Sequence, residues 1–423
     1  MIESILVLSI FLILNTNAFT AYLAVVFIGL YGIRSKENSV KAMCYLGILS
    51  GLDKKIFMGN IQELKTLLSL LFIVNIFIHI VIIERKIKID LFIKVASLYL
   101  SYSIIASLIS SKLPLISISK CIYFIVGLIS IYLVIKEIKI SEWYQWLSDF
   151  FKSILLINIP FILYEVSKNS SSFLKSGIYS NSNSLGVVST ISGIFLLFYY
   201  FNYYKKNTLI YFILSVVEIL LSGSRTSLFT IIIIFSIVMV VVSFKYIKSM
   251  NKKYIFVFIL TLIMPLLILT AVAIKGEEVN SYVVSKIEKG QGKDILFSRK
   301  ELIEKCLIDF RSNRITGVGF GVPAQENCNG KRFEIALSKP DERGNIFIGA
   351  LSETGILGTL LFIFLLITMV INSKKNNDKK LFMRKQILII GIILLNQGEM
   401  QLFSGASVGV IYWNLLAVYM LKG

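Results

Sequence analysis

Histidine is almost missing from this 423-residue chain, with His79 the sole example, and it falls inside an apolar run. One histidine without companions makes no metal site, so no metal is expected and His79 is read as a packed polar residue. Acid is scarce too: 25 Asp and Glu stand against 44 Lys and Arg, a formal charge of +19. In a soluble chain that excess would point to a polyanion such as nucleic acid, but only 16% of the residues are charged while 56% are hydrophobic, and the mean hydropathy is +0.78. No water-soluble domain could keep that much apolar surface covered. The chain also lacks the ten-residue alternating segments of an outer-membrane barrel. It lacks an internal repeat, which argues against the two-halved design of many secondary transporters. No basic residue precedes the first apolar stretch, where Glu3 stands instead. A signal peptide's charged start is therefore missing, and that stretch is expected to be retained.

What remains is a chain of apolar runs, each near the 20 residues needed to cross a bilayer as a helix. Eleven are clear, at Leu64–Ile83, Leu91–Ser110, Ile118–Ile135, Phe150–Glu165, Ser184–Phe201, Thr208–Leu221, Thr226–Phe244, Tyr254–Ile274, Ile346–Ile371, Gln386–Phe403 and Gly405–Leu421. Ile5–Ile33 is interrupted by Asn15, Thr16 and Asn17, so it reads as one tilted helix or a hairpin, and Val40–Leu52 is short for a span. The expected fold is an all-α integral membrane protein: a single polytopic domain over residues 1–423, with 12 to 14 transmembrane helices and one large loop at 275–343.

The basic residues assign sides. Assigning alternate loops to opposite sides collects 23 of them at 34–41, 85–94, 136–152, 205–206, 245–253, 374–385 and Lys422, and leaves eight in the other short loops. By the positive-inside rule the first set is cytoplasmic, which places the 275–343 loop and its 13 basic residues outside and the C-terminus inside. Six of the nine arginines (Arg225, Arg299, Arg311, Arg314, Arg332, Arg343) fall outside, where cation geometry rather than topology gives arginine an advantage, since its fork binds phosphate or carboxylate through two bonds. The other reading is that arginine merely accompanies the one large loop. Cys306 and Cys328 share that loop and are expected to be able to form a disulfide in an oxidising exterior.

Three segments carry candidate chemistry. Ser222-Gly223-Ser224-Arg225-Thr226-Ser227-Leu228 breaks two long apolar helices, with Ser224 or Thr226 able to cap the second, so that Arg225 lies beside free N–H groups at a helix start. The alternative is a simple pairing of Arg225 with Glu218. In the loop, Ser298–Phe310 reads as an amphipathic helix with Ser298 as cap and Glu301 completing a capping box; its period puts Arg299 on the face of Ile303, Cys306 and Phe310. Gly317-Val318-Gly319-Phe320-Gly321 follows, but with neither a preceding strand nor a following helix it is no nucleotide loop. Asn396, Gln397, Glu399 and Gln401 form a polar group near the end of a span, either functional or bonding one helix to another.

In chain order these pieces resemble the O-antigen ligase and O-antigen polymerase superfamily. Tyr179–Gly186 resembles its Asn-Pro-Asn segment, with Ser182 in place of proline. Ser222–Leu228 resembles its arginine signature, Arg299 with Gly317, Gly319 and Gly321 its loop pattern, and Asn345–Gly358 its re-entrant segment. The resemblance spans Tyr179 to Leu360. One departure is instructive: a histidine commonly precedes the asparagine of that last segment in the ligases, and here the position is Gly344. That favours the polymerase branch.

The resemblance implies an enzyme that joins oligosaccharide repeat units carried on undecaprenyl diphosphate, at the outer face of a bacterial cytoplasmic (inner) membrane, with neither nucleotide nor metal and no cofactor. It further implies the lipid-linked oligosaccharide, membrane lipid and a chain-length regulator protein as partners, and no nucleic acid. Arg225 and Arg299 are expected at the diphosphate, Asn183, Asn345 and Arg343 as substrate-binding groups, Glu353 as first candidate for general base and Glu399 as the second, also substrate-binding. Two other functions remain open: a ligase moving the glycan to a different acceptor, and a transporter of lipid-linked glycan.

Overall fold

The computed structural model describes residues 1–53, 61–83, 89–167, 174–249, 297–322, 343–374, 379–405 and 407–421. Among them are fourteen α-helices and no strand, the sole bridge being Leu52 with Tyr179. In chain order they are α1 Ile2–Leu14, α2 Ala18–Ile33, α3 Lys36–Leu49, α4 Ile61–Phe77, α5 Leu91–Ser110, α6 Pro114–Glu137, α7 Ile140–Ser167, α8 Ser182–Tyr203, α9 Asn207–Ser222, α10 Arg225–Ser249, α11 Phe297–Ser312, α12 Ile346–Lys374, α13 Lys379–Asn396 and α14 Gly409–Met420. Six are long and apolar enough to cross a membrane (in α4, α5, α6, α7, α8 and α12), and five shorter apolar helices join them. This is an all-α polytopic membrane protein. The expected span at Tyr254–Ile274 and most of the 275–343 loop lie outside the described residues.

The helices begin where short polar side chains supply the first-turn N–H groups with acceptors. Asn17 caps α2, Ser35 α3, Asp90 α5 and Asn181 α8, while Pro114 opens α6 at a position where its missing N–H costs nothing. Asn15–Asn17 resolves the first run into a hairpin, because Asn15 ends α1 and Asn17 starts α2. The short run Val40–Leu52 becomes α3, whose buried residues include Tyr45, packed edge-on to Phe150 and Trp146. It is a core helix of the bundle.

Burial separates the centre from the rim. The membrane-crossing window of α8 is 94% buried against 33% for α4, so α8 is the axis, packed by α9, α7, α10 and α13. Because α9 runs back along α8 and α10 returns, the start of α8 and the α9–α10 turn share one end of the bundle. The start of α12 and the end of α13 join them there, as the contacts below require. At the opposite end two cations meet acids and a third an amide: Lys36 bonds Glu137, Lys136 bonds Asp90 at 3.1 Å, and Arg384 donates to Asn202.

Candidate functional site

The α9–α10 turn is built from its serines. Ser222 Oγ donates to the Ile219 carbonyl at 2.8 Å and accepts from the Ser224 N–H at 3.1 Å, Gly223 adopts the left-handed conformation (φ 57°), and the chain restarts as α10 with Arg225. A residue with a side chain would be strained at Gly223. Arg225 is half-buried, and its Nη2 is buried with no hydrogen-bond partner among the described residues. The alternative pairing with Glu218 does not occur. Glu218, 1% exposed, accepts from Ser189 Oγ at 2.6 Å and Asn158 Nδ2 at 3.4 Å instead.

Against this turn lies the start of α8. Gly186 packs so closely on the three serines that a Cβ there would meet Ser224 Cβ at 2.5 Å, Ser222 Oγ at 2.7 Å and Ser227 Oγ at 3.0 Å. Two segments separated by some forty residues are thus one surface. Asn181 and Asn183 divide their labour: Asn181 Oδ1 accepts from the Ser184 N–H at 2.7 Å and caps α8, whereas Asn183 is exposed on its first turn. The capping role belongs to a residue that the sequence reading passed over, although an asparagine ahead of an apolar run is an ordinary cap signal.

The end of α13 completes the ring. Gly398 touches Thr226, since a Cβ there would lie 2.1 Å from Thr226 Oγ1, and the neighbouring Gln397 accepts from Asn345 Nδ2 at 2.5 Å. Asn345 Oδ1 in turn caps α12 through the Phe347 and Ile348 N–H groups. Asn396 Oδ1 holds the turn beyond α13 by accepting from the Gln401 and Leu402 N–H groups, and Gln401 donates to Glu399 at 3.0 Å. Glu399 is half-buried. Arg225, Asn183, Asn345 and Glu399 therefore belong to four segments connected at one end of the bundle.

Arg343 and Glu353 pair with each other. Arg343 is 2% exposed: Nε pairs with Glu353 Oε1 at 3.2 Å, Nη1 with Asp309 Oδ2 at 3.3 Å and with Ser352 Oγ, and Nη2 donates to the Val322 carbonyl at 2.5 Å. Glu353 is equally buried. The pair locks the loop helix α11 to α12 through Asp309.

The glycine turn rests on a break in α12. At Gly355 (φ 67°, ψ −169°) the helix is interrupted, and its freed groups are taken by the loop: Val318 N–H bonds Ser352 O, Gly319 N–H bonds Glu353 O, and Ile356 N–H bonds Arg314 O, all at 2.9 to 3.0 Å. Non-helical backbone within a membrane protein requires such partners. Tyr102 donates to Ile315 O and Thr354 O, and Lys120 to Gly321 O, which fastens the loop to α5 and α6.

Two expectations in the loop fall partly outside the described structure. α11 starts at Phe297, so Ser298 is within the helix rather than before it, and the side chains of Ser298, Arg299 and Glu301 lie outside the described ones. Cys306 is a free, buried thiol that donates to the Arg343 carbonyl at 3.9 Å, with burial pushing it above the usual thiol range; Cys328 lies outside the described residues.

Residues 210–363, from within α9 into α12, match the family described as O-antigen ligase. Over that stretch, a little more than a third of the chain, the match supports kinship with the O-antigen ligase/polymerase superfamily. Members of this family are glycosyl-transferring enzymes of the membrane, and the matched stretch contains the arginine turn, α11, the glycine turn and the broken helix. No curated protein matches the chain.

Proposed function

We propose that this protein is a polymerase that joins undecaprenyl-diphosphate-linked oligosaccharide repeat units into a surface polysaccharide (O-antigen, capsule or exopolysaccharide) at the outer face of the cytoplasmic membrane. The observation that carries the reading is the Nη2 of Arg225 at the start of α10, unpartnered among the described residues. A buried guanidinium nitrogen with no acceptor among them, beside a helix N-terminus, suits a phosphate oxygen.

The proposed reaction makes use of that placement. A hydroxyl of one repeat unit attacks the anomeric carbon of another, the new glycosidic bond forms, and the bond from that carbon to the lipid diphosphate breaks with its electron pair on the departing oxygen. Arg225, together with Arg299 from the loop helix, stabilises the charge gathering there. Glu399, half-buried and held by Gln401, receives the hydroxyl proton, and Asn183 and Asn345 hydrogen-bond the sugars or phosphates.

Gly344 favours polymerase over ligase, because the histidine that commonly stands at this position in the ligases is missing. A transporter of lipid-linked glycan is the reading from another class. Cells lacking the gene, supplied with wild type or an inactive variant, separate the three by surface glycan on a gel. A polymerase leaves single repeat units on the surface lipid when inactive. Loss of all surface glycan would replace the reading with a ligase, and repeat units trapped inside with a transporter.

A further inference from the structure

Glu218 has no part in the chemistry above, yet it is a carboxyl 1% exposed in the middle of a helical bundle, and no cationic side chain among the described residues pairs with it. Groups of that kind are expensive to bury and are retained where they fix something. Its two partners show what it joins. Ser189 belongs to α8, six residues after Asn183, and Asn158 belongs to α7; Glu218 itself is one turn before Ser222 on α9.

The segment leading into α8 is fastened to the same place. Glu165 of α7 accepts from the Ser176 N–H at 2.9 Å and Ser176 Oγ at 2.6 Å, the Lys175 N–H donates to the Leu221 carbonyl at 3.1 Å, and Gly177 is so close to Asn158 that a Cβ would lie 3.2 Å from Oδ1. Tyr179, 1% exposed, lies over the cluster. Every covalent path from this cluster toward the ring is short: through Ser222 and Gly223 to Arg225, and through Asn181 to Asn183.

We propose that Glu218 is a positioning residue that sets Arg225 against Asn183, acting beneath the ring without touching substrate; this rests on the reading of Arg225 as the diphosphate cation. Its hydrogen bonds fix α9 to α8 one turn below the Gly186 contact, where the serine turn has no slack to absorb a shift. A displacement near 1 Å of a preorganised group can cost about a hundredfold in rate.

The test is a double-mutant cycle on purified protein in nanodiscs, using as substrate the lipid-linked repeat units extracted from cells that lack the gene. Glu218→Ala should lower kcat by about tenfold or more with KM little changed. Glu218→Gln, which keeps an acceptor for Ser189 and Asn158, should restore most of it. The combined Glu218→Ala, Arg225→Lys protein should be no slower than Arg225→Lys alone, because a misplaced arginine and a replaced one lose the same interaction. Ser189→Ala gives the same cycle should Glu218→Ala fail to fold. Independent multiplying losses, a wild-type rate for Glu218→Ala, or a Glu218→Gln protein as slow as Glu218→Ala would each overturn the proposal. A wild-type rate for Arg225→Lys would instead overturn the catalytic reading beneath it.

Discussion

Arg343 and Glu353 face each other Nε to Oε1 at 3.2 Å, each 2% exposed, ten residues apart across the start of α12. Removing one member leaves the other charge buried without compensation, a loss on the order of 3–5 kcal/mol for pairs of this kind. Arg343→Ala should therefore unfold the loop from α12, and Asp309→Ala should do so more mildly. Replacing both members, as Arg343→Met with Glu353→Gln, should recover much of the stability. Thermal unfolding of the purified protein in detergent checks this, and a double variant less stable than Arg343→Ala would contradict it.

Gly317 gives a sharper steric prediction. It has φ 69°, and a Cβ there would be 2.4 Å from the Glu353 carbonyl carbon and 2.5 Å from Thr354 N, both backbone atoms that cannot turn aside. Gly317→Ala should cost about 1–3 kcal/mol from backbone strain alone and detach the glycine turn from the break at Gly355. Limited proteolysis of the loop, faster in the variant than in wild type, is the expected readout. Gly29→Ala, where the Cβ would make ordinary contact with Leu68 at 3.6 Å, is the control.

The helical architecture was legible because apolar runs of membrane length leave few alternatives, and the motif segments were legible as small polar residues interrupting them. Their convergence was not, since Gly186, Gly398 and Gly317 report closeness only once partners are in place. The burial of Arg343 and Glu353 was hidden for a related reason. An arginine at the end of an external loop and a glutamate near the start of a span look like surface or site groups until Asp309, Ser352 and the Val322 carbonyl are seen to gather round the arginine that holds the glutamate. Charge in sequence does not say whether water or protein surrounds it. The Asn181 cap could have been read from the local pattern, and Glu218 was correctly noticed but given the wrong partner.

Asp90 at the start of α5 carries a pH dependence. Burial would raise its carboxyl, but bonds from Tyr132 Oη at 2.5 Å, the Ile93 N–H and Lys136, and the charge of Lys136, outweigh burial and hold it below its ordinary value. A carboxyl depressed in the folded state stabilises above its unfolded value, near pH 4, and loses that contribution as pH falls through the lowered one. Asp90→Asn keeps the cap and removes the charge, so it should cost about 0.5–1 kcal/mol at neutral pH after screening of this partly exposed group. Unfolding temperatures of wild type and variant should converge as pH falls through that lowered value. A gap that persists unchanged there would mean that the charge is not its source.

Arg225 allows activity and stability to be separated. Its Nη2 has no hydrogen-bond partner among the described residues, so exchanging the guanidinium for an ammonium takes little from the fold. What it removes is the two-pronged geometry toward a diphosphate, and losing one preorganised donor to developing charge costs about 3–4 kcal/mol, a rate loss on the order of a hundredfold to a thousandfold. Arg225→Lys should therefore melt like wild type and reach the membrane in equal amount, yet leave surface glycan as single repeat units. Lys300→Ala on the exposed face of α11, where the side chain is 62% exposed and 3.9 Å from Glu304, should give the wild-type chain-length distribution. If Arg225→Lys also gave that distribution, the arginine would be a part of the turn and not of the reaction. If it lost activity only in proportion to lost stability, the missing partner of Nη2 would have no catalytic meaning, and the diphosphate would have to be sought at another cation, Arg299 first.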